Sequence, residues 1–361
     1  MKIRTITCHH VYNHGAYLQA YALVKYLQGI GHDAAIIDYR PKYKNWNPFV
    51  FPHRFNNIFL NGLYFLAKLP QNIQISRRHL SFDRFFAKYM PIGTPTYNTL
   101  EELRANPPKA DLYIAGSDQI WNTYFTQGTD EAFYLGFGSA RKISYAASFA
   151  TDSIKAGSEH LVKSYLSNFD SISVREQGAL TILDKLGYSG KRVVDPAFLL
   201  TCEEWNYLAT DSCYSEKYIL IYDFYHSQAI ERAAKLIASK RNIKIYSIGP
   251  YNLNYVDKNF TKASPRTFIQ LVRDSECVIS NSFHGSVFSI IYKKDFFVAD
   301  RRDGLNQRMY ELLKRYHLMD RHISVNTTED DLLRPINWAE SLTILSSDIE
   351  ASKKFLDDNI H

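Results

Sequence analysis

Short apolar runs of four or five residues, each followed by a segment with helical apolar spacing, recur along this chain and leave few architectures open to it. Residues 2–8 read as a strand, 16–29 as a helix with Leu18, Ala22, Leu23, Tyr26 and Leu27 on one face, and 34–38 as a second buried strand, together a βαβ unit. Gly29-Ile30-Gly31 punctuates the end of that helix. The rhythm resumes with strands at 112–115, 143–147, 171–174 and 192–194 and helices near 155–168 and 177–186. A second series after Trp205 has strands at 218–222, 244–248, 277–279 and 296–299, with helices at about 226–240, 264–274, 284–292 and 305–316. Strands alternating with helices imply mainly parallel sheets, so the predicted class is α/β with two Rossmann-like domains.

With 361 residues the chain exceeds the size at which one core stays efficient, which also favours two domains. We assign 1–205 to the first and 206–340 to the second, with a polar linker near 205–216 and a final helix at about 341–357, in the tail 341–361, returning to the first domain. Within the first domain, 41–90 breaks the rhythm. Pro41, Pro48, Pro52 and Pro70 interrupt it, and we read it as an insertion of short helices rich in aromatic rings.

The formal charge of +6 suits an anionic ligand or a membrane surface, and no motif for nucleic acid accompanies it. Cys8, Cys202, Cys213 and Cys277 show no C-x-x-C spacing, which predicts reduced thiols rather than a zinc site or disulfides. The opening MKIRTITCHH lacks an apolar signal stretch, and no apolar run is long enough to span a bilayer, so a cytoplasmic location is expected.

Ligands of open α/β sheets bind beyond the carboxyl ends of the strands, which directs attention to four polar loops. These are Asn13-His14-Gly15, Gly116-Ser117-Asp118-Gln119, Arg175-Glu176 and Ser280-Asn281-Ser282-Phe283-His284-Gly285-Ser286. The last runs from an apolar strand into an apolar helix, so its N–H groups open a helix N-terminus, an anion site by geometry. Ser282, Gly285 and Ser286 are small enough to admit a phosphate or carboxylate, and His284 is either a proton donor or a helix cap. Arg175 either binds an anion in bidentate fashion or pairs with Glu176 at the surface. Asp118 is a general base or a turn-stabilising side chain, and Asn13 and Gly15 hold a ligand or make the first turn.

Other chemistries lack their signatures. Gly136-Phe137-Gly138 has no third glycine and precedes a strand, which argues against a dinucleotide, and there is neither a phosphate-binding G-x-x-x-x-G-K-[ST] loop nor an Asp-x-Asp pair. Cys8, His9, His10 and His14 match no familiar metal spacing, and no cofactor is predicted. Asp195-Pro196 reads as a turn.

Five segments in order, N-H-G-A-Y-L-Q-A-Y-A-L (13–23), G-S-D-Q-I-W-N (116–122), S-V-R-E (173–176), V-D-P-A-F-L-L (194–200) and S-N-S-F-H-G-S-V-F-S-I-I-Y (280–292), resemble the polysaccharide pyruvyl transferase family. The resemblance implies a GT-B-like pair of domains with the active site in the cleft between them. It also implies a reaction in which phosphoenolpyruvate, a co-substrate, gives its pyruvyl group to two hydroxyls of one sugar, forming a ketal and releasing phosphate. Such chemistry would serve bacterial capsular polysaccharide, exopolysaccharide or cell-wall glycan. The family's motif histidine corresponds to His284, the expected acid. Asp118 is the expected base; Arg175, Ser282, Phe283, Gly285 and Ser286 the donor contacts; and Asn13, Gly15, Ser117 and Gln119 the acceptor side. Some members carry an arginine where this chain has Ser282, so Arg266, Arg273 or Arg308 is expected to replace it.

Between Arg40 and Tyr89 nine Lys or Arg face one acid, Asp83, among many rings. This segment either docks on an anionic membrane, towards a lipid-diphosphate-linked sugar acceptor, or forms an ordinary helical pair with its rings in the core. Beside the pyruvyl transferase stand two other readings, a GT-B glycosyltransferase using a nucleotide sugar and a non-catalytic glycan-binding relative.

Overall fold

The computed structural model describes residues 1–44, 54–212 and 214–360; Cys213 and 45–53, with Trp46, Pro48, Phe49, Phe51 and Pro52, lie outside them. The N-terminal sheet contains β1 (Lys2–Ile6), β2 (Asp33–Ile36), β3 (Leu112–Ala115), β4 (Arg141–Ser144), β5 (Ser173–Val174) and β6 (Lys191–Arg192). Parallel pairing runs β2-β1-β3-β4, and bridges from Ile143 to Ser171 and from Ala147 to Val174 carry it to β5 and β6. The C-terminal sheet contains β7 (Tyr218–Tyr222), β8 (Lys244–Ile248), β9 (Lys258–Phe260), β10 (Cys277–Ser280), β11 (Asp295–Ala299) and β12 (His322–Ile323), in the parallel order β12-β11-β10-β7-β8-β9. Every residue of β3, β7 and β10 is buried, because helices cover both faces of a parallel sheet. That burial is why these strands read as unbroken apolar runs.

Strand order reverses between β1 and β3 in one sheet and between β7 and β10 in the other, and each reversal leaves a crevice beyond the carboxyl ends. One apolar core joins the two sheets. It includes Tyr17 and Leu23 of the helix His14–Gly29, Phe268 of Pro265–Asp274 and Phe288 of Phe283–Ile291, while each sheet's outer face has its own cluster. His14 is wedged into this shared layer. Its Nε2–H donates to the carbonyl of Ala263 (3.0 Å), so Nδ1 accepts from the Tyr222 hydroxyl (3.2 Å), and the ring stacks on Phe268. Burial pushes the imidazole pKa down to about 3.

Three expectations need correction. Among the described residues the insertion is not a set of short helices: after a 3-10 turn at Lys42–Lys44, one long helix, Ile58–Tyr89, runs through Pro70. Leu66, whose carbonyl loses its helical partner there, is 63 % exposed and so is not sealed in the core. The strand expected at 143–147 stops at Ser144, since Ala146 takes φ +54° and the chain turns within apolar sequence. The polar stretch read as a linker begins inside a helix, Cys202–Leu208, opened by a Thr201–Glu204 capping box.

The final helix is Trp338–Ile360. Arg141 of the N-terminal sheet donates to the carbonyl of Asn359 (2.8 Å), and the Val194 N–H to Oγ of Ser352 (2.9 Å). Asp348 on the same helix receives Arg315 (2.6 Å) and Arg192 (3.5 Å).

Candidate active site

The loop after β10 is built to hold still. The Ser280 hydroxyl donates to the Tyr222 carbonyl (2.8 Å) and accepts from the Ser282 N–H (2.9 Å), while the Asn281 amide donates to Asp223 (2.6 Å). Ser282 then caps the helix Phe283–Ile291, accepting from the Gly285 N–H, and no acid follows in the first turn to cancel its positive end. Gly285 is small for a local reason: a Cβ there would lie 2.5 Å from Oγ of Ser280. Ser286 donates back to the Ser282 carbonyl (3.4 Å).

His284 projects from this first turn towards the opposite domain and is buried. There it meets the N-terminus of the helix His14–Gly29, whose cap is Asn13. A Cβ on Gly15 would lie 2.1 Å from Nδ1 of His284, so glycine is what lets the two helix ends approach. On its other side, Nε2 lies 3.4 Å from Oδ2 of Asp195, yet off the line of a hydrogen bond, and has no other partner.

Asp195 therefore does more than fix a turn. Its Oδ1 accepts from the Ala197 N–H (3.0 Å), fixing the expected turn, while Oδ2 accepts from Nη1 of Arg175 (2.7 Å) and faces His284. Burial alone would raise its pKa; the His284 imidazole and the Arg175 guanidinium overcome this and hold the carboxyl well below its usual range.

Arg175 is buried and is not half of a surface pair with Glu176. Glu176 is itself buried, 3.9 Å away, with Oε1 taken by the Ser148 hydroxyl and the Ala150 N–H. The Arg175 guanidinium lies 4.4 Å from the Phe283 ring centroid and 3.4 Å from the Ser117 hydroxyl, with Nε and Nη2 lacking a hydrogen-bond partner. Asp118 stands 4.0 Å from Nη2, on a backbone at φ +76°, a left-handed conformation that Asp accepts better than most residues. Gln119 is held by the Asn122 amide (3.0 Å).

The polysaccharide pyruvyl transferase family model matches residues 13–303, a span that opens at Asn13 and encloses Asp118, Arg175, Asp195 and His284. The chain belongs to this family. Family membership makes it a transferase of polysaccharide modification. Among solved structures it is similar to the UDP-GlcNAc 2-epimerase of Methanocaldococcus jannaschii, at 12% identity and TM-score 0.51 over 99% of both chains. It is also similar to a second UDP-N-acetylglucosamine 2-epimerase, at 12% identity and TM-score 0.50 over 99% of this chain and 95% of that one. At such identity the likeness concerns the fold, which is of the GT-B type. Among curated proteins none matches the chain.

In this family member the cleft of about 310 Å³ is bordered by Asn13, Asp118, Gln119, Ser282, His284 and Arg308. Of the three arginines expected to replace the one absent at Ser282, only Arg308 is here. Arg266 is spent on the carbonyls of Leu208 and Ala209 and on Tyr89, and Arg273 on Asp274. Arg308 is buried with Nε unpaired, on the helix Gln307–Arg315, its guanidinium 5.5 Å from the centroid of the same Phe283 ring that Arg175 faces. Burial first, and then Arg175, push its pKa down to about 10. Arg301, which the sequence did not single out, also borders the cleft, tied to Asp303 and Tyr225. It follows β11, so the strand-end rule that selected the other loops would have found it. Among the described residues no three His, Cys, Asp or Glu side chains converge as a metal would require. His9 is engaged by Asp38 and His14 by Tyr222.

Proposed function

We propose that the protein transfers the pyruvyl group of phosphoenolpyruvate to two hydroxyls of one sugar. What carries this reading is the set of buried donors around Phe283 that have no hydrogen-bond partner: Nε and Nη2 of Arg175, Nε of Arg308 and Nε2 of His284. Two guanidiniums that repel each other across one ring suit a donor bearing both a carboxylate and a phosphate. The capped helix end at Ser282, Phe283, Gly285 and Ser286 adds its positive pole.

In the reaction, the enol methylene of the donor gains a proton from His284, which turns C2 into an oxocarbenium-like centre. One sugar hydroxyl attacks C2 and passes its proton to Asp118. The C2–O bond to phosphate then breaks, and the second hydroxyl closes the ketal. Of the two hydroxyl protons, one replaces the proton spent on the methylene and the other leaves with phosphate, so the atoms balance. Asp195 touches no substrate and serves to orient His284 and Arg175. Asn13, Gly15, Ser117 and Gln119 belong to the acceptor side. The acceptor is a lipid-diphosphate-linked sugar, met at the cytoplasmic face of the membrane; among the described residues no helix is long and apolar enough to cross one.

The test is incubation with phosphoenolpyruvate and a panel of glycan acceptors, following phosphate release and the acceptor's mass. A ketal-linked pyruvyl group on the acceptor is the expected result. Consumption of a nucleotide sugar, with phosphoenolpyruvate untouched, would replace this reading with a glycosyltransferase.

A further inference from the structure

The helix Ile58–Tyr89 is an arm with two unlike halves. Its C-terminal half is rooted in the N-terminal domain, where Phe82 and Phe85 are buried and His79 stacks on Tyr12, in the loop that leads to Asn13. From Phe82 back to Phe59 the arm extends about 35 Å at the helical rise. Along that length Phe59, Leu63, Leu66, Ile73 and Leu80 are all exposed, at the alternating spacing of three, four or seven that makes one stripe. Arg77 and Arg84 continue the same stripe towards the root, and both are exposed.

The tip is ordered inside out. Asn57 caps the helix, and the buried Asn61 side chain bonds the N–H groups of Arg54 and Phe55 and the carbonyl of Phe55. The amides thus face inward, while Ile58 is 79 % and Phe59 71 % exposed, with Leu60 exposed beside them. Three consecutive helical residues point about 100° apart. A second helix laid along the arm covers one stripe and leaves part of this trio in water, whereas immersion covers all three.

We infer that this arm inserts its tip into an anionic phospholipid bilayer, with Arg77 and Arg84 at the headgroups, and so holds the cleft at the membrane where a lipid-linked sugar is presented. The commitment to lipid rests on charge as well as shape. From Arg54 to Lys88 the segment carries six Lys or Arg and one acid, Asp83, the balance of a surface that meets anionic headgroups. The purpose of the arm rests on the proposed function; its binding to lipid does not.

Vesicle co-sedimentation of the full chain tests this, with phosphatidylglycerol-rich and pure phosphatidylcholine vesicles. The wild-type protein is expected to pellet with the first and not the second. Phe59→Asp with Leu63→Asp should weaken that binding about a hundredfold, and Arg77→Glu with Arg84→Glu should weaken it while leaving the apolar tip intact. All three proteins should release phosphate equally on a water-soluble acceptor and melt at the same temperature. An acid at 59 lies in the first turn, where the helix end favours it, so the fold is not at risk. Equal vesicle binding by wild type and the aspartate variant, no binding by the wild type, or a wild-type dimer that the variant turns into a monomer would each overturn the inference. If no acceptor is ever pyruvylated but the vesicle results hold, the arm stands and the catalytic reading falls.

Discussion

Gly15 and His284 meet across the cleft at a distance that admits no side chain: a Cβ on Gly15 would overlap the imidazole at Nδ1, Cγ and Cβ, at 2.1, 2.2 and 2.5 Å. The loop after β10 in one domain is thus seated against the first helical turn of the other.

Gly15→Ala is therefore expected to keep the fold and displace His284. A misplacement of about 1 Å at a reacting group costs about a hundredfold in rate. Phosphate release should fall by that order, with donor affinity, read by calorimetry, little changed. An unaltered rate would show that the ring relaxes without consequence.

His284→Ala should abolish turnover, since a positioned acid contributes about 10²–10⁴-fold. Asp195→Asn should act twice. It removes the charge that holds Arg175 and His284, lowering kcat, and it leaves the Arg175 guanidinium buried without its 2.7 Å partner. Breaking a buried pair in this way costs about 3–5 kcal/mol, so the thermal midpoint should drop as well. Full activity in His284→Ala would remove that residue from the chemistry.

Arg308 and Arg175 should be separable from His284 by kinetics. Losing one charge-assisted contact is worth about 10–100-fold in affinity, so Arg175→Ala and Arg308→Ala should raise the donor KM by that factor. Arg308→Met has a second signature. Because burial and Arg175 both disfavour its charge, the variant should melt higher than wild type without donor, yet gain less when phosphoenolpyruvate is added. Thermal shift with and without the donor reads both effects.

Acid should loosen the joint between the domains through His14. Its folded pKa is lowered from 6.5 to about 3, so the ring is neutral when folded and takes a proton when unfolded. Stability is then full above pH 6.5 and declines as pH falls below it, by up to about 1.4 kcal/mol per unit. His10, lowered to about 4 by burial and by Arg40, adds to the same slope. In His14→Gln the fall of the thermal midpoint below pH 6.5 should be shallower than in wild type.

The parallel sheets and the His284 loop were legible because their signals are local: an apolar run, a polar turn and an apolar helix follow within a few residues. Asp195 was half legible. Its cap on Ala197 is a two-residue pattern, whereas its partners Arg175 and His284 come from distant strands and no spacing announces them. Arg308 was one of three candidates until packing spent the other two elsewhere. β9 and β12, with three and two residues, are too short to show a period. Pro70 misled the reading of the arm because a proline inside a helical pattern usually kinks or ends it, whereas this helix runs through it.

The last helix has a mechanical consequence. Through Asp348 it holds Arg315 of one domain and Arg192 of the other, and through Ser352 and Asn359 it is stitched to the sheet it returns to. The two domains are therefore clasped by a continuous helix rather than tethered by a loose linker, and cutting either Asp348 contact should loosen one against the other.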